Sequence, residues 1–137
     1  MTLIACLRIA GTILLLLALA HLRFPKQFHW ATELPRLSII NRQMFLVHTF
    51  FIAMIVTMMG LLSLAFPEAL IERSSLARLT LAGLTIFWGT RLVFQWFVYD
   101  RALWRGQNFN TAIHFLFTTF WTYLTSVYAW ALWQQFV

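Results

Sequence analysis

The chain has 137 residues, 61% of them hydrophobic and only 10% charged. A soluble domain carries roughly 25% charged residues, so the composition excludes an ordinary soluble globule and points to an integral membrane protein of one domain, residues 1–137. The net charge of +6 would suggest nucleic acid in a soluble protein, but here the basic residues fall mostly in short connections, where they set topology; no nucleic-acid partner is expected.

The spacing of apolar runs predicts an all-α chain of four transmembrane helices, over about 3–22, 43–66, 76–99 and 111–136. Each has roughly 20 or more residues, enough at 1.5 Å per residue to span a hydrocarbon core of about 30 Å. The connections are short, so an up-down-up-down bundle is expected.

The first segment begins with Leu3-Ile4-Ala5-Cys6, which has the look of a lipobox, and contains Ala18-Leu19-Ala20, which has the look of a signal-peptidase site. No basic or apolar stretch precedes the former, and both are read as coincidence in a retained helix. The lone cysteine, Cys6, excludes an internal disulfide and cysteine-based zinc or iron–sulfur sites. The segment closes with His21 ahead of Phe24-Pro25, where proline blocks continuation. The run from Arg8-Ile9-Ala10-Gly11 through His21-Leu22-Arg23-Phe24-Pro25 resembles the opening of small DoxX-type membrane proteins, over the first quarter of the chain. Four-helix glutathione-type membrane enzymes have similar size, but their Arg–Asn–Glu pattern in the second helix is absent. Neither comparison supplies a site residue.

In the first connection, His29-Trp30, Leu34-Pro35 and Leu37 provide apolar anchors for a short interfacial helix or re-entrant stretch. The second segment opens with Asn41 as expected N-cap and Arg42 placed for a lipid phosphate. His48 lies about one turn inside it. Met54, Met58 and Met59 read as soft packing surface rather than a copper site.

The third segment carries Trp88, Arg91, Gln95 and Tyr99 at spacings of three and four, a single stripe. Because helical side chains lean toward the N-terminus, Arg91 is expected to face the bundle interior rather than snorkel. A charge there costs about 2.5–3.5 kcal/mol on insertion scales, so it needs an acceptor. No acidic residue lies within a segment; Thr, Gln or Tyr oxygens, carbonyls, water or an anionic ligand are the candidates. The fourth segment carries His114, Thr118, Thr122, Thr125 and Ser126, hydroxyls expected to bind helices together.

Threading brings His21, His48, Arg91, Gln95, Tyr99 and His114 to one side of the bilayer. Basic residues in the first connection (Arg23, Lys26, Arg36, Arg42) and the third (Arg101, Arg105) outnumber Arg8, Arg73 and Arg78 elsewhere. Loops 1 and 3 are therefore expected in the cytoplasm of a bacterial-type inner membrane, with both termini outside.

Three functions fit. The first is a polar pocket for a quinone-like or lipid-like amphiphile, its head held by Arg91, Gln95 and Tyr99, with His48, His114 and His21 contributing hydrogen bonds or protons. The second is a haem b subunit with His48 and His114 as paired axial ligands on diagonal helices, although bulky Phe45, Phe50, Phe51, Phe115 and Phe117 crowd them. The third is an accessory subunit of a larger membrane complex or a homo-oligomer. A three-histidine metal site is conceivable, but no metal is assigned. Absence of intramembrane carboxylates argues against a di-iron centre. No nucleophile–base pair, phosphate loop or paired acids occur, so a conventional hydrolase is disfavoured and no reaction is assigned.

Overall fold

The computed structural model describes residues 2–104 and 106–137; Arg105, counted above in the charge of the third connection, lies outside them. The described chain is helical throughout, with no strand. Four long helices, α1 (Leu3–Ala20), α4 (Ile39–Ala65), α6 (Ser75–Phe97) and α7 (Asn108–Trp133), are joined by short ones: α2 (Phe24–Gln27), α3 (Trp30–Glu33) and α5 (Pro67–Ile71).

Hydroxyl caps start three of the long helices. Thr2 accepts from the Ala5 N–H and Ser74 from the Ala77 N–H. Ser38, not Asn41, caps α4, accepting from the Asn41 amide at 3.4 Å. The helix therefore begins four residues earlier than the apolar pattern suggests, because a serine side chain supplies the missing acceptor one turn upstream. Pro67 ends α4 and begins α5, where its missing N–H costs nothing. The first connection folds as α2, α3 and a 3₁₀ turn over Leu34–Arg36, with His29 left-handed at φ 50° between the two short helices. Trp30 packs edge-on against Phe45 and anchors this segment to α4.

Helix α1 is central. It packs most extensively on α4, while α6 packs on α7, and α1 also meets α7. The pairs are further joined by α5, which touches α1, α4, α6 and α7. The α1–α4 contact relies on Gly11 and Gly60. A Cβ at Gly11 would fall 2.6 Å from the Leu64 nitrogen and 2.7 Å from the Gly60 carbonyl oxygen, so only hydrogen lets the backbones approach this closely. Leu7, Ala10 and Leu14 of α1 join Leu81, Leu84 and Trp88 of α6 and Trp121, Leu124 and Tyr128 of α7 in one buried core. Ser63 and Tyr128 share a buried hydrogen bond of 2.7 Å between α4 and α7, and the Tyr123 hydroxyl donates to the Cys6 carbonyl between α7 and α1.

Two helices, α1 and α4, are long and apolar enough to cross a bilayer. Helices α6 and α7 have the length, about 34 and 39 Å at helical rise, but Arg91, Gln95 and the hydroxyl, amide and indole groups of α7 lower their hydropathy. Most of α4 faces outward with large apolar side chains; only Val56, Gly60 and Ser63 are buried.

The expected interhelical role of Thr118, Thr122 and Thr125 needs correction. Thr118, Thr122 and Thr125 donate to the carbonyls of His114, Thr118 and Trp121, each one turn back on the same helix. This local bond competes with any contact to a neighbour.

Candidate functional site

Helices α4 and α6 make no contact comparable to those within the two packed pairs. Between them, at the end where α1 and α6 finish and α7 begins, lies a cleft of about 560 Å³, within the usual size of ligand sites. Leu17 and His21 of α1, Ile52 and Val56 of α4, and Ile113 and Phe117 of α7 form part of its wall. Trp88, Arg91, Gln95 and Tyr99 all line it, so the third-segment stripe does face inward.

Arg91 sits six residues before the end of α6. Its Nη1 donates to Gln95 Oε1 and its Nη2 to the Tyr99 hydroxyl, both at 3.3 Å. The guanidinium carbon also lies 4.9 Å from the Trp121 ring centroid and 5.3 Å from that of Tyr99. The side chain thus reaches toward the loop rather than back along the helix as the general lean suggests. Two neutral acceptors and two aromatic faces hold the cation. The ion pairs among the described residues are Arg8–Glu68 and Arg36–Glu33, both far along the sequence from Arg91 and exposed.

Gln95 is buried and orders its neighbours. Its Oε1 accepts from Arg91 and, at 3.3 Å, from Trp121 Nε1. Both partners are donors only, which fixes the orientation of the carboxamide. Its Nε2 then donates to His114 Nδ1 at 2.8 Å, placing the proton of the neutral imidazole on Nε2. Trp104 stacks on the other side of this network, 4.0 Å from the His114 ring at 19°. The Trp121 ring lies nearly parallel to those of Trp88 and Phe117, at centroid separations of 5.2 and 5.5 Å. A rigid aromatic stack therefore backs the polar groups. The Trp88 Nε1–H is buried and has no acceptor.

Five of the six expected site residues, Arg91, Gln95, Tyr99, His114 and His21, line this cleft. His48 does not. It lines a smaller adjoining cavity of about 390 Å³, together with His21, Phe24, Phe28, Trp30 and Phe45. His48 Nδ1 donates to the Met44 carbonyl at 2.7 Å, and His21 Nδ1 to the Leu17 carbonyl at 2.8 Å. The paired-histidine arrangement expected for haem is thus not assembled: His114 lines the large cleft, whereas His48 lines the smaller cavity beside Trp30 and Phe45. His114 also carries its proton on Nε2, opposite to the other two rings and on the nitrogen an iron would take. Among the described residues no three His, Cys, Asp or Glu side chains gather to hold a metal ion, so the three-histidine site is not formed either.

Two site residues escaped sequence reasoning, Trp121 and Trp104. Trp121 had a usable signal: Asn110, His114, Phe117 and Trp121 recur at helical spacing and all line the cleft. Trp104 lies in a turn and had no such signal.

Comparison with known protein families, characterised proteins and solved structures gives no match. The likeness of the first segment to DoxX-type proteins therefore gains no support from the rest of the chain.

Proposed function

We propose that the chain is a four-span protein of the bacterial inner membrane, with loops 1 and 3 in the cytoplasm, whose cleft binds the head of a quinone-like or lipid-like amphiphile. All four long helices turn large apolar side chains outward, among them Leu16 and Leu19 of α1, Phe50 and Met58 of α4, Ile86 and Phe94 of α6, and Phe115 and Trp133 of α7. Water-soluble monomers rarely expose apolar surface on this scale. The hydroxyls of Thr118, Thr119, Thr122 and Thr125, each bonded to a carbonyl of their own helix, are satisfied without water, as a bilayer requires.

The observation that carries the reading is Arg91: a half-buried cation on the wall of a mostly apolar cleft, held by neutral acceptors. Intramembrane charge of this kind marks ligand pathways. Arg91, Gln95, Tyr99 and His114 contact the head; Leu17, Ile52 and Val56 contact the apolar body. Extraction of the purified protein followed by mass spectrometry tests this. A stoichiometric amphiphile is expected from the wild type and a depleted one from Arg91→Ala; equal recovery from both sinks the proposal.

A further inference from the structure

The hydrogen-bonding groups around Arg91 are strongly one-sided. Of the five guanidinium N–H groups, Gln95 and Tyr99 take two, which leaves three. The Tyr99 hydroxyl accepts from Arg91 and keeps its own proton to donate. His114 presents Nε2–H, because its Nδ1 lone pair is used by Gln95. Trp88 Nε1–H also lacks an acceptor, but it is sealed from the cleft and adds no donor there. On the acceptor side, Gln95 Oε1 already receives two bonds. What remains is the His21 Nε2 lone pair and the Asn110 side-chain oxygen, whose amide nitrogen is committed to Leu103 and Gln107. No carboxylate lines the cleft among the described residues.

Resting on the amphiphile-binding reading, we infer that the head is an anion with acceptor oxygens only, a carboxylate or phosphate, rather than a neutral quinone ring. A quinone carbonyl would satisfy a donor or two and leave the Arg91 charge without a counter-charge in an apolar wall. An anionic head supplies that charge and can accept from Arg91, Tyr99 and His114 together, through the charge-assisted bonds a guanidinium makes best with such oxyanions. Its chain lies along Leu17, Ile52, Val56 and Phe87 and leaves through the gap between α4 and α6, toward the acyl phase.

The three cleft tryptophans, Trp88, Trp104 and Trp121, make the test optical. The full chain in an uncharged detergent is titrated with dibrominated stearic acid, its methyl ester, dibrominated phosphatidate, dibrominated phosphatidylcholine and a decyl-chain quinone, and saturable quenching of fluorescence is followed. At least one anionic probe is expected to bind about ten-fold or more tighter than its neutral-headed counterpart, the size expected for charge-assisted hydrogen bonds. The acid arm and the phosphatidate arm distinguish the two sources. Arg91→Gln should reduce that ratio to about two-fold or less while the ester still binds, and Arg91→Lys should retain part of it. Ester or quinone binding as tight as the anions overturns the anionic head and leaves the amphiphile site standing. Saturable quenching by none of the probes overturns both. The wild-type ratio decides even where a variant fails to fold.

Discussion

The carboxamide of Gln95 donates to His114 Nδ1 across the α6–α7 interface, and this bond dictates which nitrogen of His114 carries the proton. The Nδ1 atoms of His21 and His48 are instead donors, to Leu17 and Met44. Nitrogen NMR of the imidazole-labelled protein at a pH where the rings are neutral should therefore give two signatures. His114 is expected as the Nε2–H tautomer, His21 and His48 as Nδ1–H. Gln95→Leu should release His114 from its assignment; an unchanged tautomer in that variant would contradict the network.

The close approach of α1 and α4 predicts a contrast between glycines. Gly11→Ala places a methyl group against the Leu64 nitrogen and the Gly60 carbonyl, both backbone atoms. Overpacking of this kind costs about 1–3 kcal/mol. Gly83 is exposed on α6 with nothing within 4 Å of an added Cβ. Gly83→Ala should be neutral or stabilising by up to about 1 kcal/mol through helix propensity. Thermal unfolding of the two variants in the same detergent checks the ordering.

Ser63 and Tyr128 are both fully buried and bonded at 2.7 Å. Tyr128→Phe strands the serine hydroxyl and should destabilise the protein by about 1–3 kcal/mol, the cost of an unsatisfied buried group. Adding Ser63→Ala should recover part of the loss. A double-mutant cycle measures this, and strictly additive single effects would show that the bond contributes nothing.

The topology is open to labelling from either face of the membrane. Cys6 is buried and unique, so Cys6→Ser gives a cysteine-free background. In it, Gln107→Cys should react with an impermeant maleimide only from the cytoplasmic side and Glu72→Cys only from the outside. Both positions are exposed. Reversed accessibility would invert the proposed orientation.

Much of the fold could be read from the chain before its structure. The four long helices lie close to their expected ranges, because apolar runs ended by Pro25 and Pro67 carry their own boundaries. The stripe from Trp88 to Tyr99 was legible for the same reason: helical periodicity fixes which residues share a face. What periodicity cannot fix is the neighbour that face meets. A square ring would set His48 opposite His114, whereas the two line different, adjoining cavities. The threonines of α7 form a periodic stripe as well, yet a hydroxyl can bond its own preceding carbonyl, so periodicity did not reveal their partners. Trp104 reaches the site from a turn, where there is no period to read.

Native mass spectrometry of wild type and Arg91→Ala, both released from uncharged detergent, tests the central claim most directly. Wild type is expected to retain one amphiphile per chain and Arg91→Ala to fly bare. His48→Ala should retain the adduct, because His48 lies outside the cleft. An adduct of unchanged occupancy on Arg91→Ala, or none on the wild type, contradicts the account.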